Sequence, residues 1–243
     1  MEFLRNLGSN IVMLMPQVIS GLKVTLEIFA ITLILSIPLG IVTAMGRRSK
    51  IKIINKITSI YVLIMRGTPL LLQIVFIFFG LSIPSIGIVI ERFPAAILAF
   101  TLNYGAYFGE IFRAGIDSID EGQYEAGQVL GMSNTDIFFR IVLPQAFKRV
   151  LPPITNEIVT LIKDTALVYV IGLSDLLKVG KVAANRDSSL MPLLVIGIVY
   201  LILIGVLSKI MEKIEKRYEY YNYNGWFRKP LPQGGIQLSE IYD

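Results

Sequence analysis

The sequence predicts an all-α, polytopic membrane protein with five transmembrane helices. The 243-residue chain is 54% hydrophobic and only 17% charged, and its mean hydropathy is +0.65. Soluble domains of this size are rarely so apolar. A spanning helix needs roughly 20 mostly apolar residues, and five segments of the sequence meet that need. These predicted spans are approximately residues 22–45, 57–80, 94–114, 150–172 and 190–211.

The segments outside the spans predict the remaining organisation. The apolar residues 11–19 are broken by Pro16 and followed by Gly21, which predicts a separate helix in the membrane interface. Ser174 and Asp175 form a cap signal for a short amphipathic helix between spans four and five. We expect one transmembrane domain over residues 1–243, with a polar loop at 115–149 and a tail at 212–243.

The distribution of basic residues predicts the orientation. Fourteen Lys and Arg residues lie in the loop after span one, the loop before span four and the tail, whereas five lie on the opposite side. Basic residues are enriched on the cytoplasmic side of membrane proteins. The N-terminus is therefore predicted outside and the C-terminus inside, and the net charge of +5 reflects topology rather than nucleic-acid binding.

The composition also narrows the chemistry. The chain has no Cys and no His, which removes thiolate chemistry, the usual proton shuttle and the commonest metal ligand. It contains no Gly-x-x-x-x-Gly-Lys-Ser/Thr loop for ATP phosphates. An intramembrane enzyme is disfavoured because no nucleophile motif is evident. We expect a non-catalytic protein without a bound metal or cofactor.

The loop at 115–149 predicts a helix–turn–helix. Residues 123–130 form a short helical segment, and Gly131 permits a sharp turn. Ser133 with Asp136 three residues later is a helix-start signal. Residues 137–143 are apolar and return the chain toward the membrane, where we expect Pro144 to interrupt the helix.

The same loop carries a motif at fixed spacing, formed by Glu125, Ala126, Gly131, Ile141, Leu143 and Pro144. This motif resembles the EAA loop of ATP-binding-cassette (ABC) importer permeases. In that family the loop forms a coupling helix, which sits in a cleft of a separate ATPase subunit and transmits its motion. Gly127 stands where the family has a second Ala, and both residues are small.

Residues 66–71 (RGTPLL) and 163–167 (KDTAL) resemble segments of polar amino-acid permeases, the histidine, glutamine, glutamate and arginine group. The resemblance implies a methionine-importer-type fold in a prokaryotic cytoplasmic membrane. It further implies a second permease chain, identical or paralogous, and an extracytoplasmic amino-acid-binding protein. ATP and Mg²⁺ are then expected on the partner ATPase.

Polar residues within span four suggest a solute pathway. A charge at the bilayer centre costs roughly 2.5–3.5 kcal/mol on insertion scales, so it needs a function or a partner. Glu157 and Asp164 are seven residues apart and share a helix face, with Asn156, Thr160 and Lys163 adjacent. The alternative is structural: Lys163 pairs with a carboxylate of another helix, and Asp164 serves packing or gating.

Spans two and three add further candidates. Pro69 removes a backbone donor and should kink span two, which frees carbonyls that are tolerated beside a cavity. Thr68, Leu70 and Gln73 are therefore predicted to line the pathway. Asn103 lies near the middle of span three and is a further substrate candidate.

Together with the resemblance, which implies alternating access driven by a separate ATPase, these residues favour a permease that moves polar amino acids. An intramembrane Glu157 favours cationic amino acids such as arginine or lysine, with histidine and glutamine remaining open. The alternative is an ion-coupled secondary transporter that uses Glu157, Lys163 and Asp164 as a relay.

Overall fold

The computed structural model describes the backbone of residues 2–219 and the side chains of 14–218; most of the predicted tail lies outside these residues. Every regular element in this part is helical. The helices are α1 (Glu2–Arg47), α2 (Lys52–Gly67), α3 (Leu70–Val75, with a π-helical turn Phe76–Gly80), α4 (Arg92–Asp117), α5 (Glu121–Val129), α6 (Asn134–Ile137, with a π-helical turn Phe138–Val142), α7 (Leu143–Asp164, with a 3-10 turn Thr165–Ile171), α8 (Leu176–Arg186) and α9 (Met191–Glu219).

Helix α4 lies at the centre of the core, and its glycines let α1 approach closely. A Cβ added at Gly105 would lie 2.6 Å from Cδ2 of Leu39, and one added at Gly109 would lie 2.6 Å from Cβ of Thr43. Real Cβ atoms do not approach other carbons so closely, so a larger residue at either position would require α1 or its side chains to shift. The pair spaced at i and i+4 therefore packs α4 against α1.

The predicted separate helix at residues 11–19 is wrong, because α1 is one continuous helix of 46 residues that includes Pro16. A Cβ at Gly21 would lie 3.0 Å from the carbonyl oxygen of Asp175, so this glycine serves close packing on α8 rather than helix termination. Leu14 and Val18 are buried against α8 and α9. Burial of this helix face stabilises the continuous helix across the proline.

The second predicted span is broken rather than kinked. Helices α2 and α3 meet at 106° across Thr68 and Pro69. Both residues have extended backbone, with ψ of 148° and 135°. A proline disfavours helical geometry in the residue before it and supplies no N–H donor, which accounts for a break at this dipeptide.

Length and composition mark two described helices as clear membrane spans. They are Leu14–Arg47 of α1 and Met191–Tyr218 of α9, and the bent pair Lys52–Gly67 with Leu70–Gly80 makes a third if it counts as one span. Helices α4 and α7 coincide with the third and fourth predicted segments but do not pass this test. Each carries charged residues within its length, such as Glu110 and Glu157.

Pro144 does not interrupt the helix, contrary to the prediction. The chain is helical from α6 through the π-helical turn into α7, and Pro144 is the second residue of α7. The Leu143 N–H bonds the Phe138 carbonyl five residues back. This wider turn directly precedes the proline. Pro144 therefore stands in the first turn of α7, where its lack of a backbone N–H is tolerated.

Candidate functional site

A polar cavity of about 610 Å³ lies at the break between α2 and α3, beside α4 and α7. The break supplies backbone at the cavity wall, α4 supplies an amide and two tyrosines, and α7 supplies two carboxylates. The lining residues are Arg66, Gly67, Thr68, Pro69, Leu70, Leu71, Asn103, Tyr104, Tyr107, Glu157, Thr160, Asp164 and Leu167.

Two buried amide side chains hold the helix break in place. In an unbroken helix the Met65 carbonyl would accept from the N–H of residue 69, which is a proline. Here the carbonyl accepts from Nε2 of Gln73 and Nδ2 of Asn103, each at 3.0 Å. Asn103 Nδ2 also donates to Oε1 of Gln73 at 3.0 Å. The side chains therefore replace the donor that the proline lacks.

Charged and aromatic groups face each other across the cavity. The Tyr104 hydroxyl donates to Oδ2 of Asp164 at 2.8 Å. Arg66, at the end of α2, places its guanidinium 5.1 Å from the ring centroid of Tyr107, within cation–π range. Together with Glu157, the cavity wall holds one cation and two carboxylates.

The structure brings together most of the predicted substrate residues. Six of them line the cavity: Thr68, Leu70, Asn103, Glu157, Thr160 and Asp164. Gln73 does not; it is buried behind the break. Asn156 lines a different groove, between α7 and α9. The role of all eight in substrate binding stays a prediction.

Sequence reasoning missed Arg66 and Tyr104 as cavity residues. Arg66 lies within the RGTPLL segment, directly before the break, and a charge within a predicted span was the available signal. Tyr104 is only 2% exposed, and its apolar body resembles ordinary core. Only the hydroxyl contact with Asp164 distinguishes it.

The predicted helix–turn–helix is present in the polar loop. The Asp120 side chain caps α5 by accepting from the Gly122 N–H. At its other end the Met132 N–H bonds the Gly127 carbonyl at 3.0 Å, and the Gly131 N–H bonds the Gln128 carbonyl at 2.9 Å. Gly131 has φ of +73°. This is a Schellman ending, which favours glycine at the left-handed position.

The two faces of α5 differ in exposure. Gly127 is buried, and a Cβ there would lie 2.6 Å from Cγ1 of Ile137. Glu125 and Ala126 are exposed, as is Gly131. The helix also ends on exposed apolar side chains, Val129 at 87% and Leu130 at 77%. The motif therefore presents a mixed polar and apolar surface.

The apolar spans, the broken helix with its polar cavity and the projecting α5 define a helical membrane permease. Residues 36–220 match the family model described as binding-protein-dependent transport system inner membrane component. The chain is 38% identical to the arginine transport system permease protein ArtQ of Bacillus subtilis, over 83% of this chain and 92% of that protein. It is 36% identical to the L-cystine transport system permease protein TcyB of the same organism, over 85% and 88%.

Solved structures agree with these relatives. A crystal structure of an amino acid ABC transporter with histidines aligns with a TM-score of 0.80 at 34% identity, over 85% of this chain and 96% of that one. An inward-facing MetNI methionine ABC transporter aligns with a TM-score of 0.65 at 19% identity, over 84% and 95%, which shows the shared fold.

The chain belongs to the family of inner membrane components of binding-protein-dependent transport systems. It is therefore a membrane-embedded transport permease and not an enzyme.

Proposed function

We propose that this chain is the permease subunit of an ABC importer for cationic amino acids. Its relatives are named for arginine and L-cystine at similar identity, so similarity supports amino acids as a class without selecting one. The observation that carries the narrower proposal is the charge balance of the cavity, where Arg66 faces Glu157 and Asp164.

The cavity charges suit an amino acid with an additional positive group. Arg66 matches an α-carboxylate, and one of the two acidic side chains matches an α-ammonium. The other carboxylate remains for a cationic side chain. Because Tyr104 donates to Asp164, we assign Glu157 as the partner of the substrate's side-chain cation.

The same proposal assigns the surroundings of the cavity. The chain crosses the membrane five times, with α4 and α7 as the spans that apolar composition alone does not mark. The N-terminus is outside and the C-terminus inside. A second permease chain completes the membrane unit, and a binding protein delivers the amino acid from outside.

The exposed surface of α5 is the proposed contact with the ATPase. Val129 and Leu130 supply apolar area, and Glu125 supplies a charge beside it. ATP-driven movement of this surface switches the cavity between outward-facing and inward-facing states. ATP and Mg²⁺ bind to the ATPase, and this chain needs neither.

The substitution Glu157→Gln tests the substrate assignment. In proteoliposomes with the complete importer, arginine uptake should fall about tenfold or more, because a charge-assisted contact is lost. Glutamine uptake should change by less than about twofold. Glu27→Gln is the control, since Glu27 pairs at 3.8 Å with exposed Lys23 on α1. Equal losses for arginine and glutamine in the Glu157 variant would refute the contact.

The alternative of ion-coupled secondary transport fits the geometry less well. A direct relay needs its groups to face one another, yet Lys163 lines the groove beside α9, whereas Glu157 and Asp164 line the main cavity on the other face of α7. Vesicles that contain this chain without any ATPase decide between the two mechanisms. Uptake driven by an ion gradient in such vesicles would support the alternative.

A further inference from the structure

A second polar groove, separate from the cavity already described, lies between α7 and α9 and has a volume of about 490 Å³. We propose that it is a second station for a cationic amino acid on its way through the permease. This inference rests on the proposed function. The polar side chains that line the groove are Thr155, Asn156, Thr160, Lys163, Ser208, Glu212 and Glu215.

The two charge signs occupy opposite ends of the groove. Phe147 near the start of α7 packs edge-on against Tyr218 near the end of α9, with ring centroids 5.3 Å apart. The helices therefore run in opposite directions. Glu212 and Glu215 lie toward the Phe147 end, and Lys163 lies toward the other.

Lys163 lies in a predicted span and needs an explanation. It is exposed and makes no hydrogen bond or ion pair among the described residues, although its charge acts on the carboxylate of the adjacent Asp164. Glu215 likewise has no ion pair within the described chain, whereas Glu212 pairs with Lys216. Of these two residues only Lys163 lies within a predicted span, where an unpaired charge is costly unless it faces water or a polar ligand. The groove provides that surrounding.

The groove is long enough and polar enough to hold an extended cationic amino acid. Its α7 wall runs from Thr155 to Lys163, which is about 12 Å at the helical rise per residue. A carboxylate at the Lys163 end and a cationic side chain at the Glu215 end would satisfy both charges. Asn156 and Ser208 add hydrogen-bonding groups between them.

Thr160 connects the groove to the main cavity. It lines both spaces, and its hydroxyl is tied to the Asn156 carbonyl at 2.9 Å. Only α7 separates Glu157 and Asp164 on one side from Asn156 and Lys163 on the other. An amino acid that leaves the cavity around Thr160 therefore reaches the groove directly.

Equilibrium dialysis of radiolabelled arginine tests this on the purified permease–ATPase complex. We expect two arginines per permease chain in the wild type. Glu157→Gln should weaken one site, and Lys163→Gln or Glu215→Gln should weaken the other by about tenfold. Lys213→Gln, at an exposed α9 position outside the groove, should bind as the wild type does.

Agmatine, which is arginine without its carboxylate, separates ligand contact from a structural role. Lys163→Gln should leave agmatine binding at the groove unchanged, whereas Glu215→Gln should weaken it. The second station would be overturned if the wild type bound one arginine per chain, and if that binding were lost in Glu157→Gln but unaffected by both groove variants. The proposed cavity contact would survive this result. Binding unaffected by Glu157→Gln would instead refute the proposed cavity contact.

Discussion

Nδ2 of Asn103 lies 3.0 Å from the carbonyl oxygen of Met65, although 38 residues separate them in sequence. The carbonyl needs this donor because Pro69, four residues later, has no N–H. Asn103 is 5% exposed, so water does not readily replace it. The contact ties α4 to the break that shapes the cavity.

Asn103→Ala should therefore destabilise the protein as well as alter the cavity. Removing the donor leaves the Met65 carbonyl with Gln73 alone and the Gln73 oxygen without its partner, which should cost about 1–3 kcal/mol. Thermal unfolding of the detergent-solubilised complex measures the effect. Asn185→Ala is the control because Asn185 is exposed on α8. Equal midpoints for the two variants would contradict a structural role for Asn103.

Gly127→Ala should impair the α5 turn even though it restores the residue that the resembled motif has at this position. The added Cβ would lie 2.6 Å from Cγ1 of Ile137, whose side chain is fully buried, so the neighbouring side chains must repack to accept it. Overpacking of this kind costs typically 1–3 kcal/mol. We expect a lower melting temperature and weaker amino-acid-stimulated ATPase activity in the reconstituted importer.

Two further variants identify the cause of the Gly127 effect. Gly205→Ala adds the same methyl group to α9, where nothing lies within 4 Å, and should be close to neutral. Gly127→Ala combined with Ile137→Ala removes the clash and should recover part of the ATPase coupling. If Gly127→Ala keeps the melting temperature and the ATPase activity of the wild type, then α5 and α6 can move apart without cost.

Local signals in the sequence predicted the α5 turn well. Gly131 and Ser133 act through their own backbone and nearest neighbours, so their roles follow from residue type and spacing. Glu157 and Asp164 likewise share the predicted face, because helical periodicity fixes their relation. The structure adds which cavity that face meets.

Contacts between distant segments explain what the sequence did not predict. From the local sequence Gly21 resembles a helix terminator. In the structure it packs against the carbonyl of Asp175, which is 154 residues later in the chain. From the local sequence Gln73 resembles a cavity residue. In the structure it donates to the Met65 carbonyl, which has lost its helical partner. In both cases a partner remote in sequence determines the role, and residue spacing carries no information about it.

Arg113→Met should destabilise the protein more than Arg140→Met. Arg113 bonds both Glu110 and Asp117, and these carboxylates also meet Arg47 at 3.5 Å and Arg48 at 2.8 Å. The network joins α4 to the end of α1 and is partly buried. We expect Arg113→Met to lower the free energy of unfolding by about 1–2 kcal/mol. Loss of a simple surface pair should lower it by only about 0–0.5 kcal/mol.

The Asp136–Arg140 pair is the matched control because it joins an Asp and an Arg four residues apart, and the Arg140 side chain is 76% exposed. Thermal unfolding at low and high salt compares the two variants. Salt screens exposed pairs more than buried ones, so the larger effect should persist at high salt. If high salt abolishes the destabilisation caused by Arg113→Met, the charges of the network are exposed to solvent rather than partly buried.

Asp175 should make stability depend on pH. Its carboxylate accepts from the Leu177 and Lys178 N–H groups at the start of α8, and it is fully buried. Burial raises the pKa of Asp175 to about 6, although the two backbone bonds and the Lys178 charge oppose the shift. Because the folded-state pKa is raised, the stabilising contribution is complete below about pH 4 and is lost as pH rises through 6.

Asp175→Asn keeps an acceptor oxygen for the cap and cannot ionise. The stability of the wild type relative to this variant should fall by about 3 kcal/mol between pH 4 and pH 7.5, which corresponds to a shift of about two pKa units. Melting temperatures of the solubilised complex at both pH values measure it. If the wild type and the variant differ in melting temperature by the same amount at both pH values, burial of the ionised Asp175 carboxylate is refuted. Asp187→Asn is the control: Arg186 lowers the pKa of the exposed Asp187 carboxylate, so this group cannot make stability fall as pH rises.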